Sequence, residues 1–168
     1  MCSALSSCGA DPASAPTVGS DGAELVAEDK RVFEGGPVEI FLDYWELQAE
    51  DSSATVADSG SAVINLTQVS GDLLDQDGGG IASRFVADFG VADRSTGHLE
   101  LTGRVTLTSV GENVFLKADR VVFNEQAGYV TAEGNVRIES ASIRLGPFNT
   151  LLATPGLERV GTPEIFES

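Results

Sequence analysis

From Gly36 onward, apolar and polar residues alternate in short segments along the chain. "VEIFLDYWELQA" (Val38–Ala49) places Trp45, Leu47 and Ala49 on one face and Glu46 and Gln48 on the other. "SAVINLTQVSG" (Ser61–Gly71) aligns Ala62, Ile64 and Leu66 on one side. "LLDQDGGGIASRFVADF" holds a glycine-rich turn between two strands, and "ASIRLG" (Ala141–Gly146) is a further short strand. A proline-containing piece, "PFNTLLATPGLERVGTPEIFES", closes the chain. Alternation in short segments at roughly 8–12-residue spacing predicts β-strands of a sandwich or barrel. One stretch, "AELVAEDKRVFE" (Ala23–Glu34), suits a helix, with few apolar positions.

Two segments of equal length are copies of one unit. "VADFGVADRSTGHLELTGRVTLTS" (Val86–Ser109) aligns without gaps on "KADRVVFNEQAGYVTAEGNVRIES" (Lys117–Ser140) at an offset of 31. The offset takes Asp88 to Asp119, Gly97 to Gly128, Gly103 to Gly134 and Val105 to Val136. Such self-similarity marks a repeat architecture. Each unit reads as a hairpin with one apolar face. In the first that face holds Phe85, Ala87, Phe89, Val91, Leu99, Leu101, Val105 and Leu107. In the second it holds Leu116, Ala118, Val122, Val130, Ala132, Val136 and Ile138, with Thr131, Glu133, Asn135 and Arg137 on the wet side. Gly103 and Gly134 fall in mid-strand on the apolar side. A glycine there weakens a strand unless the chain bends or something approaches closely, so it predicts a repeated corner where the sheet folds over itself.

Composition narrows the classes. The 168 residues suit one folded domain, with 10 Lys plus Arg against 26 Asp plus Glu and a net charge of -16. The basic residues are scattered, so the chain is repelled by nucleic acid and by anionic membrane surfaces. An apolar content of 42% exceeds that of a disordered acidic tail. The two cysteines, Cys2 and Cys8, lie outside the strand-rich body. "LSSC" (Leu5–Cys8) matches a bacterial lipoprotein box, although Met1–Ser7 has neither the basic nor the apolar region of a secretion signal. The small-residue linker that follows suits a tether. The expected division is a lipoprotein-like segment and linker over 1–35 and a β-domain over 36–168, with Cys8 as the lipidation site.

Catalytic chemistry finds no support in the sequence. His98 is the lone histidine, expected to be an exposed strand residue, and no Cys–His or typical zinc site can be assembled. "DQDGGG" (Asp75–Gly80) reads as a turn, because it lacks the further ligand spacing of a calcium loop. No glycine-rich loop leads into a helix to cradle phosphate. The expectation is a non-enzyme with no cofactor, no metal and no catalytic residues.

The order of signals resembles the periplasmic lipopolysaccharide-transport proteins of the LptA/LptC class. A strand ending "WELQA" is followed by one ending "LTQV", then the "DQDGGG" turn, then "VADFGVADRSTGHLELTGRVTL" and "VFLKADRVVFNEQAGYVTAEGNVRI". The resemblance covers about Val38 to Ser140 and looks more LptC-like than LptA-like. It implies an all-β, open antiparallel β-jellyroll, a twisted V-shaped double sheet with a flexible N-terminal tether. It implies an apolar groove for the acyl chains of lipopolysaccharide or a related glycolipid, lined by Trp45, Leu47, Phe85, Phe89, Leu99, Leu101, Val105, Leu107, Leu116, Val122, Val130, Val136 and Ile138. It implies a periplasmic location tethered to the inner membrane, with the permeases of an inner-membrane ABC transporter and an LptA-like bridging protein as partners. Family members commonly begin with a transmembrane helix, for which the lipoprotein box is the substitute here. The alternatives are a soluble LptA-like bridge and a structural or adhesive β-sandwich lipoprotein. Since lipid A carries phosphates, its head group is expected to stay outside the groove, or Arg84, Arg104 or Arg120 to offset the acidic field.

Overall fold

The computed structural model describes residues 30–57, 61–75 and 80–166. Ten strands follow one another: β1 (Lys30–Gly35), β2 (Val38–Phe41), β3 (Trp45–Ala57), β4 (Ala62–Leu74), β5 (Ile81–Asp93), β6 (His98–Ser109), β7 (Phe115–Asn124), β8 (Tyr129–Glu139), β9 (Arg144–Ala153) and β10 (Val160–Gly161). A short helix, α1 (Pro163–Phe166), ends the described chain. Each of β3 to β10 pairs antiparallel with its sequence neighbours, giving one open sheet. β1 and β2 lie end to end along the outer edge of β3, on Ser52–Ala57 and Glu46–Ala49 respectively. Lys30–Glu34, expected in a helix, is therefore strand. The edge of a long neighbour supplies backbone partners that a weakly apolar helix lacks. The sheet thus begins before the expected boundary at residue 36; Cys8 and the linker lie outside the described residues.

A corner crosses the sheet at mid-strand. The row Asp51, Thr67, Phe89, Thr102, Arg120, Glu133 and Thr150 runs from β3 to β9. Beside it, β6 carries one extra residue at Gly103–Arg104 and β8 one at Gly134–Asn135, and the register of the neighbouring ladders shifts there. All four of these residues have positive φ, from 48° to 82°. Gln68 (φ 54°) takes the same conformation in β4, immediately before a buried valine, as Arg104 and Asn135 do. Such bulges bend a strand and raise its twist. β9 has its own irregularity around Gly146–Pro147, where a missing proline N–H is tolerated.

The corner resets which side chains point inward. In β5 the buried positions are Ser83, Phe85 and Ala87, then Gly90 and Ala92. In β7 they are Leu116 and Ala118, then Val121 and Phe123. Two consecutive outward residues, Asp88–Phe89 and Asp119–Arg120, switch the phase. β6 and β8 place three residues there, and so keep it. Gly103 and Gly134 belong to those outward triplets and face Asp88 and Asp119, not the apolar side as expected.

Folding at the corner brings opposite strand ends together. Trp45, at the start of β3, is fully buried, and its Nε1–H donates to the Gly97 carbonyl in the β5–β6 turn at 3.1 Å. Along the sheet, Trp45 is in register with Leu73 and Ser83, at the end of β5 away from that turn. The bond therefore ties one half of the meander to the other. Between the halves lies one apolar cluster drawn from β2 to β9. Burying each Leu or Val there stabilises by about 1.5–3 kcal/mol.

Ser83 and Ser109, cross-strand partners, are the buried polar residues among those described. Ser109 Oγ accepts the Glu112 N–H at 3.0 Å, whereas Ser83 Oγ has no partner. An unsatisfied buried hydroxyl costs about 1–3 kcal/mol, and an apolar replacement of similar shape recovers much of it. Ser83→Ala is expected to raise the unfolding free energy by about 0.5–2 kcal/mol, read as a higher urea midpoint at unchanged slope. A loss of stability above about 1 kcal/mol would contradict the assignment.

Candidate functional site

The apolar interior is the first candidate. Of the residues expected to line a groove, Trp45, Leu47, Phe85, Leu99, Leu101, Val105, Leu107, Leu116, Val130 and Val136 are all buried in the single cluster, and Ile138 packs against it half-buried. Phe89 and Val122 are not with them. Phe89 is 54% exposed and Val122 half-exposed, both on the opposite face, because the phase switch at Asp88 and Asp119 precedes them. Val91 follows Phe89 for the same reason. Val121 and Phe123 take the interior places instead. "VVF" carries apolar residues at both parities, so the sequence does hold that signal.

The apolar cluster differs between the β3 side and the β9 side. On the first, Trp45 is fully buried. On the second, Ile138 of β8 stands opposite Leu145 of β9, and cross-strand partners share a face. Leu145 is 50% exposed, and Ile143, Phe115 and Ile81 are also exposed at the same ends of the strands. Ile138 and Leu145 form an apolar lip on the inward face, whereas Phe115, next to the inward Leu116, points to the outer face, as do the exposed Arg137 and Arg144.

Charged side chains decorate the corner. Asp88 accepts two bonds from Arg104, at 2.9 Å from Nε and 2.7 Å from Nη2. This bidentate pair holds the Asp88 carboxyl below its ordinary range and raises the Arg104 guanidinium. One repeat later Asn135 Nδ2 donates to Asp119 at 2.8 Å. Arg120 donates to Glu100 at 2.8 Å and also to Glu133, and its pKa is raised chiefly by the Glu100 bond. Arg84 lies 3.5 Å from Asp72. The three arginines expected to offset the acidic field are thus each matched to a carboxylate of this chain.

The sheet edges are the second candidate. β10 pairs only with Leu152 and Ala153 of β9, so no strand covers the outer edge of Arg144–Leu151 among the described residues. α1 folds back beside the covered part. Phe166 meets Tyr129 edge-on at 5.5 Å and lies under the Arg159 guanidinium at 4.7 Å, while Arg159 Nη2 donates to the Phe166 carbonyl at 2.7 Å. From Leu151 to Phe166 the proline-containing piece is therefore the end of β9, a turn, the two-residue β10 and a helical turn that starts at Pro163, a position where proline is favoured. At the opposite end, β1 and β2 have no strand on their outer side among the described residues.

Among the described residues no group of three metal-ligating side chains comes together, and no helix is long and apolar enough to cross a membrane. The sequence matches no protein-family model and no curated protein. What fold and geometry define is an all-β protein: an open antiparallel meander bent over an apolar interior.

Proposed function

We propose that this protein is a periplasmic component of lipopolysaccharide export, related to the LptC-like jellyrolls, and not an enzyme. It takes the acyl chains of lipopolysaccharide or a related glycolipid from an inner-membrane ABC transporter and passes them to a bridging jellyroll. The observation that carries this reading is the lip. The apolar interior meets solvent at Ile138 and Leu145, beside a sheet edge that ends unpaired among the described residues. An acyl chain entering there stays on apolar surface, while a phosphorylated head group remains outside, near Arg137 and Arg144. The corner arginines, already matched to carboxylates, leave the acyl chains as the principal anchor. Unpaired edges are templates for strand addition. In this scheme β1 and β2, nearest the N-terminal tether at Cys8, meet the transporter, and β9 meets the bridge.

Photo-crosslinking tests the scheme. A crosslinker at Leu145 or Ile138 is expected to capture lipopolysaccharide, and one at Phe89 or Glu133, on the outer face, is not. Equal labelling of both sets, or none at the lip, would refute it.

A further inference from the structure

Two clefts flank Phe41, one on the outer surface of β2–β5 and the other at the strand-connecting turns. The first, of about 380 Å³, is bounded by Glu39, Glu46, Gln48, Asp72 and Arg84. The second, of about 500 Å³, is bounded by Asp43, Arg94, Thr96, Glu125 and Gln126, where three turns converge. Both volumes fall in the ~300–1,000 Å³ range of small-molecule sites. Phe41 belongs to both and is 62% exposed, while its neighbour Ile40 is buried in the core. Alternation in β2 explains why the ring points outward; nothing of this chain among the described residues covers it.

The polar side chains around the ring are available. Glu39, Asp43, Glu46, Arg94, Glu125 and Gln126 spend no side-chain hydrogen bond on another described residue, whereas the corner carboxylates Asp88 and Asp119 are engaged. Planar acceptors and donors around an exposed aromatic face match the chemistry of a sugar. The C–H face of a pyranose ring lies on an aromatic ring, and its hydroxyls donate to carboxylates in short, charge-assisted bonds. Charge narrows the class further. The two clefts hold five carboxylates against two guanidinium groups, one of them already beside Asp72. Phosphorylated or uronic sugars are repelled there.

We infer that the paired clefts around Phe41 bind a neutral oligosaccharide, one ring stacked on Phe41 and its neighbours reaching Glu39 and Gln48 on one side and Arg94 and Gln126 on the other. The site spans the outer face of β2–β5 and the adjoining turns, apart from the inward faces that form the core. It goes beyond the lipid reading, and free oligosaccharides probe it with no acyl chain present.

The test is a glycan array of neutral and acidic oligosaccharides, followed by saturation-transfer difference NMR on the hits. Neutral oligosaccharides are expected to bind, with strongest transfer to ring C–H protons. Phe41→Ala is expected to weaken binding about tenfold or more, and Phe41→Trp to retain it. Phe41 is largely exposed, so both variants keep the core intact, and circular dichroism checks this. Absence of any neutral hit, preference for polygalacturonate or phosphorylated sugars, or equal binding by Phe41→Ala would each overturn the inference.

Discussion

Replacing Trp45 by alanine is expected to cost about 3–5 kcal/mol, the largest loss of any single core substitution in this chain. The side chain is fully buried and is the largest in the core. Its removal leaves a void at the point where the two halves of the sheet meet, and strips the Gly97 carbonyl of its donor. Ordinary domains are stable by only about 5–15 kcal/mol, so much of the total is lost. Trp45→Phe separates the two contributions. It keeps most of the bulk and removes the indole N–H, and is expected to cost about 1–3 kcal/mol. Urea unfolding of the three proteins measures both. A loss below about 1 kcal/mol for Trp45→Ala would mean that the layers are not held together there.

That bond also marks where sequence patterns stop informing. Trp45 and Gly97 are 52 residues apart, and no periodicity links a tryptophan in one strand to a turn carbonyl two hairpins later. Strand identity is legible from alternation, and the repeated corner from Gly103 and Gly134, since few residues other than glycine are at ease at φ near 80°. The phase switch is harder to see. After Asp88 the inward residues are Gly90 and Ala92, which carry little hydrophobic signal, while the outward ones are Phe89 and Val91. Apolar parity therefore points the wrong way in that half of β5. In β7, Val121, Val122 and Phe123 satisfy either parity, and only the bulge opposite decides between them. The lip is only half legible: Ala141, Ile143 and Leu145 alternate with polar residues and so share a face, but the pattern does not tell a buried Leu145 from the half-exposed one observed. Phe41 reads in sequence only as part of an apolar strand; its exposure follows from the burial of Ile40 beside it.

The corner itself yields the second large effect. Gly134 has φ +81°, and a Cβ placed there would sit 2.8 Å from Asp119 Oδ2 and 2.9 Å from Asp119 Cβ. Gly103 repeats this, with φ +82° and Asp88 Cβ at 2.8 Å. Alanine at either position meets two penalties. The left-handed conformation costs an L-residue about 1–2 kcal/mol. The overlap must be relieved by moving an aspartate Cβ, which is fixed to the backbone of the neighbouring strand, and this adds about 1–2 kcal/mol more. Gly134→Ala and Gly103→Ala are therefore each expected to lose about 2–4 kcal/mol. The two positions are separated by a whole strand, so the double variant should be close to additive. A cycle combining Gly134→Ala with Asp119→Gly divides the penalty. The second change removes the aspartate Cβ that the new methyl group would strike but leaves φ as it was. The alanine should therefore become less costly by about 1 kcal/mol in its presence. Denaturant unfolding of the single and double variants gives all these terms. If either alanine variant matched wild type within about 0.5 kcal/mol, the glycines would not be what bends the sheet, and the equivalence of the two repeated corners would fall with them.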